Sequence, residues 1–357
     1  MTTGTAPQFG VFMPIAQGGW IISKTRPPVD ASYALNRQVA ILADELGLDF
    51  IMSMAKWRGY GGETDHWRAS LESTVLMSAL AEVTKRVKIW CTLHTLLHNP
   101  AVAAKMITTL DEISNGRAGL NIVAGAYKGE FEQMGAWRTD LDHDQRYDLA
   151  REWIEIVKKL WAEDHVTVHG KYFTMEDCES HPKPVSRPRP DLISAGMSEK
   201  GLRFGVDVGA SCFIGGRDEA ELGQVSRRAK QIAAEANRSV KTFAMYSIVE
   251  GATDAAAEAR AQHYIEGVDV GAVKGMLASY GMLDDGRENS MVARSRQAFM
   301  SSKLVGSAET IARRIVDTVR SADLDGMMLV FPDFIEDLKS FGERILPLVR
   351  RELGGAA

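Results

Sequence analysis

Eight short, largely apolar runs alternate with helical patterns along this chain of 357 residues. That alternation constrains the fold more than any other feature. The runs are Phe9–Ile15, Asp49–Ser53, Val87–Thr92, Ala118–Val123, Leu192–Ala195, Gly209–Ile214, Thr242–Val249 and Gly326–Phe331. Strands that are apolar throughout are buried on both faces, as in a parallel sheet covered by helices. The helical segments read as Tyr33–Leu46, Leu71–Ala81, Ala101–Ile113, Arg146–Trp161, Ser198–Phe204, Asp218–Ala236, Asp254–Ala278, Ser307–Ser321 and Asp333–Leu353. Successive parallel strands require right-handed crossovers, and eight such units predict an α/β fold, a (β/α)8 TIM barrel forming a single domain over 1–357. Two interruptions are expected. Val166–Met175 alternates around His169-Gly170-Lys171 and reads as a β-hairpin, an excursion at about 163–178. An insertion is expected at about 265–303, with Gly281–Ser302 polar and irregular. The competing arrangement is an open doubly wound sheet, but no G-x-G-x-x-G follows the first strand, where a dinucleotide fold carries it.

The composition is that of a soluble globular protein, 45% hydrophobic and 25% charged. A net charge of -5 argues against binding nucleic acid through phosphate contacts. Cys91, Cys178 and Cys212 lie far apart, which points to a reducing compartment and supplies no disulfide or metal framework. The opening MTTGTAPQFG has no signal-peptide pattern, and no apolar run reaches the ~18 residues of a membrane span. The expected setting is cytoplasmic, with neither nucleic acid nor membrane as partner.

In a barrel the chemistry sits at the C-terminal strand ends. Long loops follow Ile15, Ser53, Thr92, Val123 and Ala195. They bring Trp20, Lys56 and Arg58, His94 and His98, Asn121 with Glu130, and Ser198 toward one rim. Asn121 is a carboxamide in an otherwise apolar strand, and unpartnered burial would cost about 1–3 kcal/mol. It either pins a neighbouring backbone group or faces a polar ligand. Ser198 begins a helix, where it reads as an N-cap or as a phosphate-binding residue, two roles that can hold at once. Arg146-Tyr147 opens another helix, as a surface arginine and a packed ring or as site residues. His94 and His98 are four apart, but Asn99-Pro100 argues against a helix there, and no metal is expected. Cys91, inside a strand, reads as packing. Gly196-Met197-Ser198-Glu199-Lys200 misses the G-x-S-x-G elbow of serine hydrolases.

The segments GVFMPIAQGGWIIS (10–23), SMAKWRGYGGETDHW (53–67), LDEISNGRAGLNIVAGAYKGEFEQMGAW (110–137), QRYDLAREW (145–153), KYFTMEDC (171–178), ISAGMS (193–198) and FGERILPL (341–348) resemble the bacterial luciferase-like, FMN-dependent monooxygenases. Within that family they are most similar to the pyrimidine monooxygenases. The resemblance spans nearly the whole chain. It implies a TIM barrel, reduced FMN as co-substrate and O2 activated on the flavin. It implies oxidation of a uracil-like or larger heterocycle, with ring opening by C–N amide cleavage. Ala55, Lys56, Asn121, Glu130, Arg146, Tyr147 and Ser198 match FMN-binding positions, and Met52, Thr92 and Asn121 match a pocket holding O2. Asn121 and Thr92 would orient the oxygen, and Lys56 would stabilise charge on the substrate oxygen. A separate NAD(P)H:flavin reductase, a small heterocyclic substrate and further copies of the chain, as a dimer or tetramer, complete the expected partners. Where the family has Thr and then Gly-Trp, this chain has Ala124, Gly125 and Ala126. Loss of an indole opens space beside the flavin, which Tyr127 fills in part, so a substrate different from uracil, uracil-like or larger, is expected. A deazaflavin-dependent oxidoreductase and a non-catalytic flavin-binding protein are the competing readings.

Overall fold

The computed structural model describes residues 6–125, 127–280 and 296–354. Its strands are β1 (Gln8–Phe12), β2 (Phe50–Met52), β3 (Lys88–His94), β4 (Ala118–Val123), β5 (Val166–His169), β6 (Thr174–Cys178), β7 (Asp191–Ser194), β8 (Ser211–Ile214), β9 (Thr242–Glu250), β10 (Ser302–Gly306) and β11 (Gly326–Val330). Eight of them, in the order β1-β2-β3-β4-β7-β8-β9-β11, form a parallel sheet that closes on itself where β11 returns to β1. These are the eight runs expected from the sequence, and the fold is the expected (β/α)8 barrel. Helices α1 (Tyr33–Glu45), α2 (Ser73–Glu82) and α3 (Pro100–Ile113) follow the first three strands. A short α4 (Lys128–Glu132) and a long α5 (His143–Ala162) follow β4. Then come α6 (Glu199–Val208), α7 (Glu219–Glu235), α8 (Asp254–Glu266), α9 (Val270–Ser279) and α10 (Ala308–Ser321).

The hairpin is present as the antiparallel pair β5–β6. It is tied to α5 by Glu152, whose carboxylate accepts from the backbone N–H groups of Lys171 (3.0 Å) and Phe173 (2.8 Å). The helix expected over Asp254–Ala278 is two helices, because Asp269 caps a new start and accepts from the Ala272 backbone at 3.0 Å. Its other oxygen accepts from the backbone and hydroxyl of Thr64, at 2.7 and 2.8 Å, so α9 is moored to the loop after β2. Residues 281–295 of the expected irregular stretch lie outside the described residues, as does Ala126. Ser302 begins β10, a ninth strand that pairs with the outer end of β9 (Ser302↔Tyr246 to Gly306↔Glu250) beyond the ring. Its polar Ser302-Lys303 start hid it from an apolar-run reading. The expected helix Asp333–Leu353 is also broken, into α11 (Glu336–Ser340), a π-helical turn (Phe341–Ile345) and α12 (Leu346–Leu353).

The lower end of the barrel is plugged by aromatic rings. Phe50 and Trp90 stack at 4.1 Å, with Phe213 and Phe243 packed around them at 5.3–6.3 Å. Side chains, not a pore, fill a barrel of this size. Glycines on other strands make the room: a Cβ on Gly10 would lie 2.3 Å from the Phe50 ring, and one on Gly119 2.2 Å from Trp90. Overpacking of this kind costs about 1–3 kcal/mol or more. Gly10→Ala and Gly119→Ala are each expected to lower the urea midpoint by a stability loss of about that size, with no change in m-value.

Candidate active site

The C-terminal ends of β2, β3 and β4 carry a polar ladder. The register sets Thr92 of β3 beside Asn121 of β4. The Thr92 hydroxyl donates to the Ser53 carbonyl at 2.5 Å, so its oxygen is left to accept, and Asn121 Nδ2 donates to it at 3.0 Å. Behind them the Thr92 backbone N–H donates to Ser73 Oγ at 2.8 Å, and Ser73 and Ser53 share a hydroxyl contact of 2.6 Å. This arrangement fixes the carboxamide's orientation: Nδ2 is spent on threonine. Asn121 Oδ1 is buried and has no partner. Asn121 thus holds a threonine side chain and not the backbone group expected, and the other half of its amide remains an open acceptor.

The loop after β2 contributes a buried ion pair. Lys56 Nζ lies 2.9 Å from Glu130 Oε2, with both side chains almost fully enclosed. Glu130 Oε1 also accepts from the Trp57 backbone N–H. Glu130 reaches this position from α4. There it meets Lys56 and is not itself among the residues lining the cavity. The ammonium is flanked by the rings of Tyr127 at 4.3 Å and Tyr60 at 4.8 Å. Burial pushes the Lys56 pKa below the ordinary lysine value, and Glu130 pulls it back up. His94, at the end of β3, has its pKa driven by burial down to about 4, and its Nδ1 has no partner. It is a neutral ring at neutral pH. His98 does not face the site; its Nδ1 donates to the His94 carbonyl at 3.0 Å.

On the opposite side, β7 turns into α6 through Ala195, Gly196 and Met197. Ser198 caps that helix, accepting from the Gly201 backbone at 3.1 Å. The backbone passes close to Tyr147: a Cβ on Gly196 would sit 2.5 Å from the Tyr147 hydroxyl. Arg146 and Tyr147 belong to the first turn of α5, whose start is fixed by a capping box between Asp142 and Gln145. The Arg146 guanidinium donates to the Leu141 carbonyl at 3.0 Å and lies over the Trp137 ring at 5.0 Å.

These elements enclose a cavity of about 560 Å³. Met52, Ala55, Lys56, Thr92, Asn121, Arg146 and Tyr147 line it, as do His94 and Trp20. Ser198 stands at its rim, one residue beyond the lining Met197, and Arg58 turns outward to the Gly129 carbonyl. Sequence reasoning missed a methionine wall: Met245 of β9, Met328 of β11, Met276 of α9, and Met300 ahead of β10. It also missed Tyr280, at the end of α9. A count of 16 methionines was the available signal, but nothing in the spacing says which ones converge.

Residues 7–325 match the sequence model of the luciferase-like monooxygenases. The chain belongs to that family. This monooxygenase is 35% identical to the pyrimidine monooxygenase RutA of Acinetobacter baylyi over 355 residues, covering 96% of this chain and 94% of that protein. It is likewise 35% identical to the pyrimidine monooxygenase RutA of Caulobacter vibrioides over 357 residues, covering 98% of this chain and all of that protein. Among solved structures, a riboflavin lyase with modified FMN and riboflavin superposes with a TM-score of 0.86 at 23% identity, over 99% of this chain and 93% of the other. A long-chain alkane monooxygenase superposes with 0.84 at 20% identity, over 100% and 93%. At such identities the superpositions speak for the fold.

The ion pair makes a prediction for this monooxygenase. Removing one partner of a buried pair leaves an uncompensated charge, at about 3–5 kcal/mol. Glu130→Gln should be destabilised by about that much in urea titrations at pH 7. Without its counter-charge, Lys56 falls further below its unfolded pKa of about 10.5. The unfolded chain then binds more protons than the native one, so the variant's stability should rise with pH between the two values. A loss that is equal at pH 7 and pH 9.5 would contradict this account.

Proposed function

We propose that the cavity binds FMN, uses its reduced form with O2, and oxidises a uracil-like or larger cyclic amide with opening of a ring C–N bond. Asn121 Oδ1 carries the reading: a buried acceptor without a donor, inside a cavity, beside a threonine already satisfied. Such a group costs about 1–3 kcal/mol unless a ligand supplies the missing N–H. The residues fit a flavin mononucleotide. Ser198 and the free backbone N–H groups opening α6, with Arg146 across the rim, suit a phosphate. Ala55, Lys56, Asn121 and Tyr147 would hold the ring system, with Glu130 acting through Lys56. Bound reduced FMN supplies the electrons and activates O2, so that one oxygen atom enters the substrate.

The protein's own part is position and environment. Met52, Thr92 and Asn121 define the pocket expected for O2, with Asn121 the one group among them that still has an unsatisfied hydrogen-bonding atom. Lys56 keeps a positive charge next to the site, held by Glu130, where it stabilises negative charge developing on a substrate oxygen. The methionines, Trp20 and Phe213 keep the interior dry, which strengthens each of these interactions. Ala124 and Gly125 line the cavity with little bulk and favour a substrate larger than uracil. The curated relatives are named pyrimidine monooxygenases, which supports a cyclic amide as substrate. We further propose a separate NAD(P)H:flavin reductase, assembly as a dimer or tetramer, and a cytoplasmic location. No helix among the described residues is long and apolar enough to cross a membrane.

The test is product analysis with reduced FMN, labelled O2 and a panel of cyclic amides. One labelled oxygen atom should appear in a ring-opened product. Asn121→Leu should lower kcat by about 10²-fold, the usual loss for a preorganised polar group at a reacting centre. Binding of deazaflavin in place of FMN, or robust NADH oxidation by this chain with FMN alone, would overturn the reading.

A further inference from the structure

Two further features meet in the same cavity, a pair of phenols and the wall of methionines. The first is a pair of phenols. Tyr127, after β4, and Tyr280, at the end of α9, place their hydroxyl oxygens 2.8 Å apart, and both residues line the cavity. Tyr60 lies in the same cluster behind Lys56, its buried hydroxyl close to that of Tyr280. In a hydrogen-bonded pair of phenols one O–H is spent on the other oxygen and the second remains available to donate. Burial raises the pKa of both Tyr127 and Tyr280 well above the ordinary phenol value, so both stay protonated and remain donors.

The second feature is the methionine wall. Met276 and Tyr280 are four apart at the end of α9 and share one helix face. Met245 and Met328 stand directly opposite each other on β9 and β11. Met300 joins them. Methionine is soft and polarizable and packs well against aromatic faces of varied shape. A bare pyrimidine has no apolar body to cover such a wall. The interior is also balanced in charge: Lys56 is matched by Glu130, and His94 is neutral. An anionic ligand would find no uncompensated cation at this depth.

We propose that the substrate is a neutral cyclic amide or imide bearing a fused or attached apolar ring, with its carbonyl oxygen held by the Tyr127–Tyr280 pair and its apolar body by Met245, Met276, Met300 and Met328. This rests on the flavin reading above and names the substrate class of that site. Tyr280 is then a substrate-binding residue, and the methionines set the preference for the added ring.

The experiment uses the full chain loaded with oxidised FMN, so that ligands bind without turnover. Calorimetry compares uracil with quinazoline-2,4-dione, which presents the same imide edge with a fused benzene ring. The dione should bind at least about tenfold more tightly, since the added ring buries several apolar carbons. Tyr280→Phe should weaken dione binding by about tenfold while the FMN affinity, measured by flavin fluorescence, stays unchanged. Met276→Ala should reduce the preference for the dione over uracil. Equal affinity of the wild-type protein for the two ligands overturns the proposal even if Tyr280→Phe fails to fold, and so does a folded Tyr280→Phe that binds the dione as tightly as wild type. Failure of the wild-type chain to bind FMN at all refutes the flavin reading itself. FMN binding without a preference for the dione refutes only this inference.

Discussion

The pairing of β8 with β9, Cys212 beside Thr242 and Phe213 beside Phe243, together with the return of β11 to β1, makes the sheet a ring. Because every strand in that ring is parallel, closure delivers all their C-terminal ends to one rim. Loops far apart in sequence then face each other across a few ångströms. The clearest case is Tyr127 and Tyr280, 153 residues apart and sharing a hydrogen bond. Closure also sets the depth of the cavity. The Phe50–Trp90 stack and the rings of Phe213 and Phe243 fill the lower barrel, and Phe213 forms part of the cavity floor. The glycines at 10 and 119 are the price of that plug, since larger residues there would collide with it.

The Lys56–Glu130 pair does for the loops what closure does for the strands. It joins the loop after β2 to the short helix after β4 in a place where water is excluded. Glu130 reinforces the joint through the Trp57 backbone N–H, and Gln133 adds a second tie by donating to the Trp57 carbonyl at 2.8 Å. Two loops without regular sheet contacts are thereby fixed relative to the Thr92–Asn121 ladder. Asp269 performs the same service for α9 through Thr64.

The barrel was legible because its strands are short, apolar and separated by helical periods, a local signal that survives without tertiary context. The ninth strand was not, since Ser302-Lys303 looks like loop and, among the described residues, pairs with the tail of β9 alone. Nor was the break at Asp269, where a side chain accepts from Thr64, some two hundred residues away. In the site, Asn121 stood out as a lone amide in an apolar strand, and Ser198 as a cap at a strand-to-helix turn. Glu130 was singled out, but its partner was invisible: an acidic residue in a polar loop gives no sign that it will bury itself on a lysine 74 positions earlier. The methionine wall shows the same limit from the apolar side. Met245 and Met328 look like any core residues until the register sets them side by side above the plug.

Polarity is graded along the cavity, and the grading orients whatever binds there. The rim offers Arg146 and the positive end of α6, both suited to an anion in contact with water. Further in, the groups are polar but neutral or paired: Asn121, Thr92, the phenols, and Lys56 with Glu130. The floor is Phe213 with Met245 and Met328 of the strands. An elongated ligand with a phosphate at one end and a flat ring at the other matches this order in one direction only, because the reverse would bury an unpaired anion among thioethers, at a cost of several kcal/mol. The arrangement therefore selects against wrong orientations by penalty as much as it favours the right one by contact.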